Sequence, residues 1–276
     1  MPELPEVETT KKELKLILLN KNINKILVNT NSLRVPIKKN KIKKLEGSKV
    51  VKVSRRGKYL LIATNKNYTL LIHLGMSGRL IYKKKKYISN KHDHVVFIID
   101  KNLFIILNDP RKFGLIDAIM NEKVFNCNYL KNLGIEPLTN NFCSEYLKKI
   151  LVRSKTKIKN FLLNQKIIAG LGNIYVSESL YDANISPLKI SNTLNKKQIF
   201  KLCQSIKKVL IKAINSKGSS INNYKSPSGL LGNFQDKFKV YDREGKNCKN
   251  KNCNKKITKV VISGRSSYYC KKCQKI

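Results

Sequence analysis

The sequence of 276 residues has no tryptophan, three histidines and few acidic residues, with 17 Asp and Glu against 57 Lys and Arg. It lacks a run of eighteen apolar residues that could span a membrane, and its acidic start differs from a signal peptide. We therefore expect a cytoplasmic protein. The net charge of +40 favours a polyanion such as nucleic acid as partner, although AT-rich coding also enriches Lys, Asn and Ile together.

Arginine is also scarce, with eight arginines against 49 lysines. Four of the eight, Arg55, Arg56, Arg111 and Arg265, fall inside the motifs discussed below. Lysine cannot replace the forked, bidentate contact that arginine makes with phosphate. The sequence therefore indicates that arginine is kept where the geometry of a contact matters.

The first residues, Pro-Glu-Leu-Pro-Glu-Val-Glu at 2–8, suggest a reactive chain terminus. If Met1 is removed, Pro2 carries a secondary amine that titrates at about pH 8 and is partly nucleophilic near neutrality. Its attack on an aldehyde-like sugar carbon would give an iminium ion directly, and Glu3 could exchange protons with the substrate. The alternative is an ordinary helix start, with acidic residues complementing the helix dipole.

Short β-type runs separated by polar turns predict a β-sandwich in the first half of the chain, with strands at 23–29, 50–53, 59–63, 68–74, 94–99, 103–107 and 115–119. Two glycine-containing loops stand at strand ends, His-Leu-Gly-Met-Ser-Gly-Arg at 73–79 and Asn-Asp-Pro-Arg-Lys-Phe-Gly at 108–114. Met76 and Phe113 could serve as wedges between base steps, the latter beside Arg111, or could be core residues. His92 and His94 could suggest a metal site, but His73 is the one other histidine in the sequence that could serve as a ligand. Hydrogen bonding or a DNA contact is therefore the favoured role of these two residues.

After residues 121–141 the apolar period becomes helical, with helices predicted at 142–152, 158–163, 173–183 and 196–214. A glycine-rich turn opens the third helix and offers backbone N–H groups, with Asn173, to a phosphate. Residues 216–235 form a loop that is longer than a simple connection in a compact domain needs, and we expect it to be mobile or ordered by substrate.

Four cysteines cluster near the end of the chain as C-x4-C-x16-C-x2-C: Cys248, Cys253, Cys270 and Cys273. Two pairs on the ends of a β-hairpin give the tetrahedral thiolate set of one structural zinc ion, and disulfides are the weaker alternative in a cytosolic chain. Arg265 lies at the expected hairpin tip, where it would make a phosphate clamp.

These motifs, in this order, resemble those of the bacterial formamidopyrimidine-DNA glycosylases across essentially the whole chain. The resemblance rests on the N-terminal motif, Gly-Lys-Tyr at 57–59, the loops at 73–78 and 109–114, Lys-His-Asp-His at 91–94, Gly-Leu-Gly-Asn-Ile-Tyr at 170–175 and the cysteines. It implies an α+β fold in which a β-sandwich with an N-terminal helix, a helix-two-turns-helix domain and a zinc hairpin clasp duplex DNA. We predict domains at 1–131, 132–235, with a lesion-covering loop at 216–235, and 236–276.

The resemblance implies a monomeric base-excision repair enzyme, associated with the nucleoid, that flips an oxidised purine out of double-stranded DNA. Pro2 would attack the sugar, and the abasic site would be cut by β,δ-elimination. Catalytic roles fall on Pro2, Glu3, Lys58 and Arg265. Met76, Arg111 and Phe113 would fill the void left by the base. Further DNA contacts would come from His73, His92, Asn173 and the basic run from Arg153 to Lys159.

Two departures from the family pattern bear on these expectations. The first cysteine pair has four intervening residues where the family usually has two, and the loop at 216–235 matches mainly by position and length. The alternative functions are an endonuclease VIII-like glycosylase for oxidised pyrimidines and a zinc-containing DNA-binding protein without catalysis. Leu4 and the Met76, Arg111, Phe113 set favour the purine enzyme.

Overall fold

The computed structural model of the protein describes residues 2–220 and 224–276. Its helices are α1 (Leu4–Leu18), α2 (Lys39–Lys43), α3 (Ser144–Leu151), α4 (Ile158–Leu163), α5 (Asn173–Asp182) and α6 (Lys196–Asn215). Its strands are β1 (Asn22–Val28), β2 (Ser48–Arg56), β3 (Tyr59–Thr64), β4 (Tyr68–His73), β5 (Arg79–Lys84), β6 (Asp93–Ile99), β7 (Leu103–Asn108), β8 (Leu115–Met120), β9 (Thr258–Ile262) and β10 (Arg265–Tyr269). None of the helices in this described part has the length and apolar composition that crossing a membrane requires.

The predicted helices and strands are present in the described residues, and two of the elements named above, β5 and α2, were not predicted from the sequence. Strand β5 lies at the edge of its sheet and pairs with β7 alone. Its sequence is rich in lysine, which protects an exposed edge from pairing with other chains but hides the apolar alternation of a strand. Helix α2 has five residues, of which Ile42 is buried, and is too short to show a period.

The strands β1 to β8 form one antiparallel sheet in the order β5-β7-β6-β1-β2-β3-β4-β8. Among the described strands, its two halves are joined by the β1–β2 pairing, at Asn22 with Lys49 and Ile23 with Ser48. A single apolar core takes side chains from both halves, for example Ile26 and Phe97 from one and Leu60 and Ile72 from the other. The sheet is therefore folded onto itself around a core, which confirms the predicted β-sandwich.

The second half of the chain packs around helix α5, which contacts α4, α6 and strand β10. Helix α6 buries one face at the predicted spacing, with Ile199, Leu202, Ile206, Val209, Leu210 and Ala213. Strands β9 and β10 form the predicted C-terminal hairpin, in register from Arg265 with Ile262 to Tyr269 with Thr258. The α+β fold class with a separate helical domain is confirmed.

The chain divides into two compact units, Met1–Asn132 with Ser216–Asn233, and Leu133–Asn215 with Phe234–Ile276. The segment after α6 thus returns to the N-terminal unit, where Tyr224 Oη donates a hydrogen bond of 2.7 Å to the carbonyl of Glu6 in α1. The domain boundaries at 131 and 235 stay predictions. Residues 221–223 of the predicted lesion-covering loop lie outside the described residues.

Candidate functional site

The start of helix α1 is buried and held by hydrogen bonds. Pro2 is buried, and Glu3 is 3% exposed. The Glu3 backbone N–H donates to Glu6 Oε2 at 2.9 Å, and Glu6 Oε1 accepts the Ser219 backbone N–H at 2.8 Å. Because Glu6 links the helix start to the 216–233 segment, the terminus has a fixed position within its unit. This is the pre-organisation that a terminal nucleophile needs.

The turn before β3 carries Lys58 and is tied to helix α1. Arg55 Nε donates to Glu8 Oε2 at 2.9 Å, and its Nη1 donates to the carbonyl of Gly57 at 2.8 Å. Burial raises the pKa of Glu8, but the hydrogen bonds from Lys11 and Arg55 outweigh burial and hold this pKa below its usual value. Lys58 is buried in the same turn. The turn that carries Lys58 is therefore held to helix α1 by side-chain hydrogen bonds, while Arg55 and Arg56 stay partly exposed.

His73 ends strand β4, and its imidazole is neutral near pH 7. Burial, and then the positive charges of Lys58 and Arg34, lower the pKa of His73 to about 4. Its Nδ1 accepts the Gly75 backbone N–H at 3.0 Å, so the proton of the neutral ring lies on Nε2. The ring can therefore donate one hydrogen bond, as a phosphate contact would require, without carrying a charge.

We expect His73 to make the protein sensitive to acid. Because its pKa of about 4 in the folded state is below the unfolded value of about 6.5, stability is lost as the pH falls from 6.5 towards 4. Between pH 7 and pH 5, this effect amounts to about 2 kcal/mol. Urea unfolding of wild type and His73→Gln at the two pH values measures it. An equal loss in both proteins would contradict the assignment.

The predicted wedge residues are exposed on two adjoining loops. Met76 is 43% and Phe113 42% exposed, so the alternative that they belong to the core is wrong. The Arg111 guanidinium lies over the Phe113 ring at 4.7 Å. A Cβ atom added at Gly75 would lie 2.3 Å from the Phe113 carbonyl carbon, so the two loops are packed backbone to backbone. The three side chains therefore project from one shared base.

His92 and His94 have different environments. His94 is buried, and its Nε2 donates to the Asp109 carbonyl at 2.8 Å. His92 is partly exposed just before β6, and its carbonyl accepts the Asp109 N–H at 3.0 Å. His94 therefore has the hydrogen-bonding role that the sequence favoured, while the DNA contact of His92 stays a prediction.

In the C-terminal unit, Lys159 and Asn173 both bind the hairpin beside Arg265. Lys159 Nζ donates to the Ser266 carbonyl at 2.8 Å, and Asn173 Nδ2 donates to the same oxygen at 2.9 Å. Lys159 is 0% exposed, so its ammonium lies inside the unit rather than on its surface. Arg265 and Arg153 are exposed. The DNA contacts of these residues stay predictions, but the structure adds an anchoring role for Lys159 and Asn173.

Arg265 is presented by a tight turn between β9 and β10. Ser263 and Gly264 have positive φ angles of 47° and 72°. Positive φ at both central residues defines the type I′ turn, whose twist matches that of the hairpin strands. The predicted position of Arg265 at the hairpin tip is confirmed.

The four C-terminal cysteines form one structural zinc site. Their Sγ atoms all lie within 4.8 Å of one another, with Cys248 and Cys273 at 3.8 Å and Cys253 and Cys270 at 3.6 Å. Zinc–sulfur bonds of about 2.3 Å in a tetrahedron place sulfur atoms about 3.8 Å apart, whereas a disulfide needs about 2.05 Å. The distances therefore fit a zinc ion. Cys248 and Cys253 still bring both of their sulfur atoms into the cluster despite the four residues between them.

Two side chains outside the cysteine set contact the sulfur atoms. Tyr181 Oη lies 3.1 Å from Cys248 Sγ, and Asn250 Nδ2 donates to Cys273 Sγ at 3.4 Å. Such outer contacts orient the ligands of a metal site. Tyr181 lies on α5, so the zinc site is joined to the helix that begins at Asn173.

Glu178, a buried carboxylate on α5, was not among the residues predicted from the sequence. Its oxygens accept the backbone N–H groups of Lys239, Val240 and Tyr241 at 2.8 to 3.1 Å. Burial raises the pKa of Glu178, against the effect of these hydrogen bonds. The contact fixes the segment that leads into the zinc hairpin. An acidic residue on the buried face of a helix was the signal that could have revealed it.

Three family models match the chain in order. The formamidopyrimidine-DNA glycosylase N-terminal domain matches residues 1–116, and the formamidopyrimidine-DNA glycosylase H2TH domain matches residues 133–225. The zinc finger found in FPG and IleRS matches residues 245–276. These matches cover the sandwich up to the start of β8, the helices and the cysteine cluster described above.

Similar proteins match over their whole length. The formamidopyrimidine-DNA glycosylase of Wolbachia pipientis subsp. Culex pipiens is 45% identical, over 99% of this chain and 100% of that protein. The one of Zymomonas mobilis is 43% identical, over 100% of both chains. The solved complex of Lactococcus lactis Fpg with DNA containing an abasic site has a TM-score of 0.91 at 34% identity, covering 99% and 100% of the two chains. The Fpg protein from Thermus thermophilus has a TM-score of 0.88 at 30% identity, covering 99% and 98%. The chain belongs to the formamidopyrimidine-DNA glycosylase family of enzymes.

Proposed function

We propose that the protein removes oxidised purines, 8-oxoguanine and ring-opened formamidopyrimidines, from double-stranded DNA and then cleaves the abasic site by β,δ-elimination. The observation that carries the proposal is the buried and hydrogen-bonded start of α1, which holds Pro2 and Glu3 in place. Support also comes from similar structures whose DNA contains Fapy-dG or an abasic site. The proposed substrate means that the enzyme works at the nucleoid, and we expect it to act as a monomer.

In the proposed reaction, Pro2 acts as the nucleophile once Met1 is removed. Its secondary amine attacks the sugar C1′, the bond to the damaged base breaks, and an iminium ion joins Pro2 to the opened sugar. Glu3 supplies a proton in the glycosylase step. Successive eliminations then break the two phosphate bonds of the sugar, leaving a gap of one nucleotide with phosphate on both ends.

The remaining site residues would hold the distorted duplex. Lys58 and Arg265 would contact phosphates around the lesion and assist the elimination steps. Met76, Arg111 and Phe113 would fill the void left by the flipped base, with Arg111 facing the orphaned cytosine. Lys58 directly precedes Tyr59, which pairs with His73 across β3 and β4, so the charge of Lys58 adds to the effect of burial in lowering the pKa of His73. Further phosphate contacts would come from His92, Arg153 and Asn173. Lys159 is 0% exposed, so it would act on the phosphates indirectly, by holding the hairpin that carries Arg265.

The test compares two duplexes, one with 8-oxoguanine opposite cytosine and one with thymine glycol. We expect at least about tenfold faster excision of 8-oxoguanine, a transition-state difference of about 1.4 kcal/mol. Mass analysis should find phosphate on both ends of the gap. Preference for thymine glycol would identify an enzyme for oxidised pyrimidines. Binding without any strand cleavage would leave a DNA-binding protein without catalysis.

A further inference from the structure

Asp109 is a buried acidic residue that connects the two wedge loops, residues 75–78 and 109–114. Its side chain is 0% exposed. Oδ1 accepts the Ser77 hydroxyl at 2.6 Å, from the first loop, and Oδ2 accepts the Gly114 backbone N–H at 2.7 Å, from the second. One carboxylate therefore bonds to both loops at once.

The hydrogen bonds around Asp109 extend to the wedge side chains. Ser77 Oγ also accepts the Arg111 backbone N–H at 3.2 Å, so a chain of bonds runs from Arg111 through Ser77 to Asp109. The backbone of Asp109 is itself fixed, because its carbonyl accepts from His94 Nε2 at 2.8 Å. Hydrogen bonds to a charged acceptor are about twice as strong as neutral ones. The loop backbone that carries the wedge side chains is therefore bonded to strand β6 through His94.

The close packing of the loops leaves little room for independent movement. Gly75 has a φ of +63°, and a Cβ there would lie 2.3 Å from the carbonyl carbon of Phe113. A Cβ at Gly114 would lie 3.0 Å from Asp109 Oδ2. Met76 and Phe113 are the exposed tips of these same two loops. A shift of either loop would therefore displace the tip of the other.

We infer that Asp109 is a positioning residue that holds the two wedge loops as one rigid unit, so that Met76, Arg111 and Phe113 enter the DNA together. The inference rests on the proposed function, because it concerns the step in which a base leaves the stack. A duplex that already lacks the base needs no such extrusion. The carboxylate should therefore matter for excision of a damaged base and little for cleavage of an abasic site.

The experiment compares Asp109→Asn and Ser77→Ala with wild type in two single-turnover reactions, excision of 8-oxoguanine and cleavage of a preformed abasic site. Asparagine keeps the size of Asp109 but presents an N–H group to one of the two donors. We expect each variant to slow excision by about tenfold, equivalent to about 1.4 kcal/mol, and to leave abasic cleavage within about twofold. The fluorescence rise of a 2-aminopurine beside the lesion, which reports opening of the stack, should slow by the same factor.

The matched control is Asp93→Asn. Asp93 is also buried, and its carboxylate accepts from Asn108 Nδ2 at 2.7 Å, directly before the second wedge loop, and from Tyr87 Oη at 3.0 Å. The first of these bonds holds the end of β7, and neither joins one wedge loop to the other, so the variant removes a buried carboxylate beside the loops and keeps their link. We expect it to leave both reactions within about twofold. The double variant Ser77→Ala with Asp109→Asn should be no slower than the slower single variant, because both changes break one chain of bonds.

Three results would overturn the inference. The first is excision of 8-oxoguanine at the wild-type rate by both Asp109→Asn and Ser77→Ala. The second is a slowing of excision and of abasic-site cleavage by the same factor. The third is the same loss of excision in Asp93→Asn. If Asp109→Asn does not fold, Ser77→Ala decides alone, since it leaves the carboxylate in place. A wild-type protein inactive on both DNAs would instead refute the proposed function.

Discussion

One extra residue ahead of Pro2 is expected to abolish the borohydride-trapped adduct with DNA and to slow excision of 8-oxoguanine by at least about 10³-fold. The slowing corresponds to about 4 kcal/mol in the activation barrier. The added residue converts the Pro2 nitrogen into an amide, which has no nucleophilic lone pair and cannot form an iminium ion. The measurement is reductive trapping on a duplex with 8-oxoguanine opposite cytosine, with peptide mass analysis of any adduct.

The matched control is Pro2→Gly, which keeps a free amine at the same position. We expect this variant to form an adduct more slowly, because the iminium ion of a primary amine can lose its proton and become a less reactive neutral imine, whereas that of proline cannot. Glycine also lacks the fixed proline ring. DNA binding by the extended form, measured by anisotropy, should stay near wild type. An adduct that maps to a lysine, or full excision by the extended form, would remove Pro2 from its proposed role.

Much of this site could be predicted because its residues sit at the ends of elements with clear sequence signals. The alternation of apolar residues places the strands that precede His73 and the 109–114 loop, and glycines mark the turns between them. The spacing of Cys248, Cys253, Cys270 and Cys273 restricts the hairpin between them to one plausible geometry, with Arg265 at its tip. These signals are local, so the sequence alone reveals them.

The missed features depend on contacts between residues far apart in the chain. The burial of Lys159 reflects its bonds to Ser266 and Ser267, more than one hundred positions away. A lysine in a basic run looks like a surface residue until its partner is known. Similarly, Asp109 reads as part of a turn, and only the approach of Ser77 makes it a link between loops. Return of the 216–233 segment to the N-terminal unit through Glu6 also has no local signal.

Replacement of one zinc ligand, by Cys270→Ala, is expected to remove the metal and weaken binding to duplex DNA by at least about 100-fold, or about 2.7 kcal/mol. The four sulfur atoms lie within 4.8 Å of one another, and structural zinc sites contribute about 10 kcal/mol or more to folding. Without the metal, the hairpin loses its main cross-link, and Arg265 loses its fixed position. Metal content by mass spectrometry and duplex binding by anisotropy measure the two effects.

The control for this experiment is Cys127→Ala, which removes a cysteine of the N-terminal unit that lies outside the cluster. It should keep one zinc ion per chain and wild-type affinity. Arg265→Ala separates the two contributions of the hairpin, because it keeps the metal and removes only the exposed guanidinium. If Cys270→Ala lost zinc but bound DNA as wild type does, the hairpin would have no part in holding the duplex. Weak binding by Cys270→Ala and by Arg265→Ala alike would place that role on the arginine, with the zinc, Lys159 and Asn173 serving to hold it.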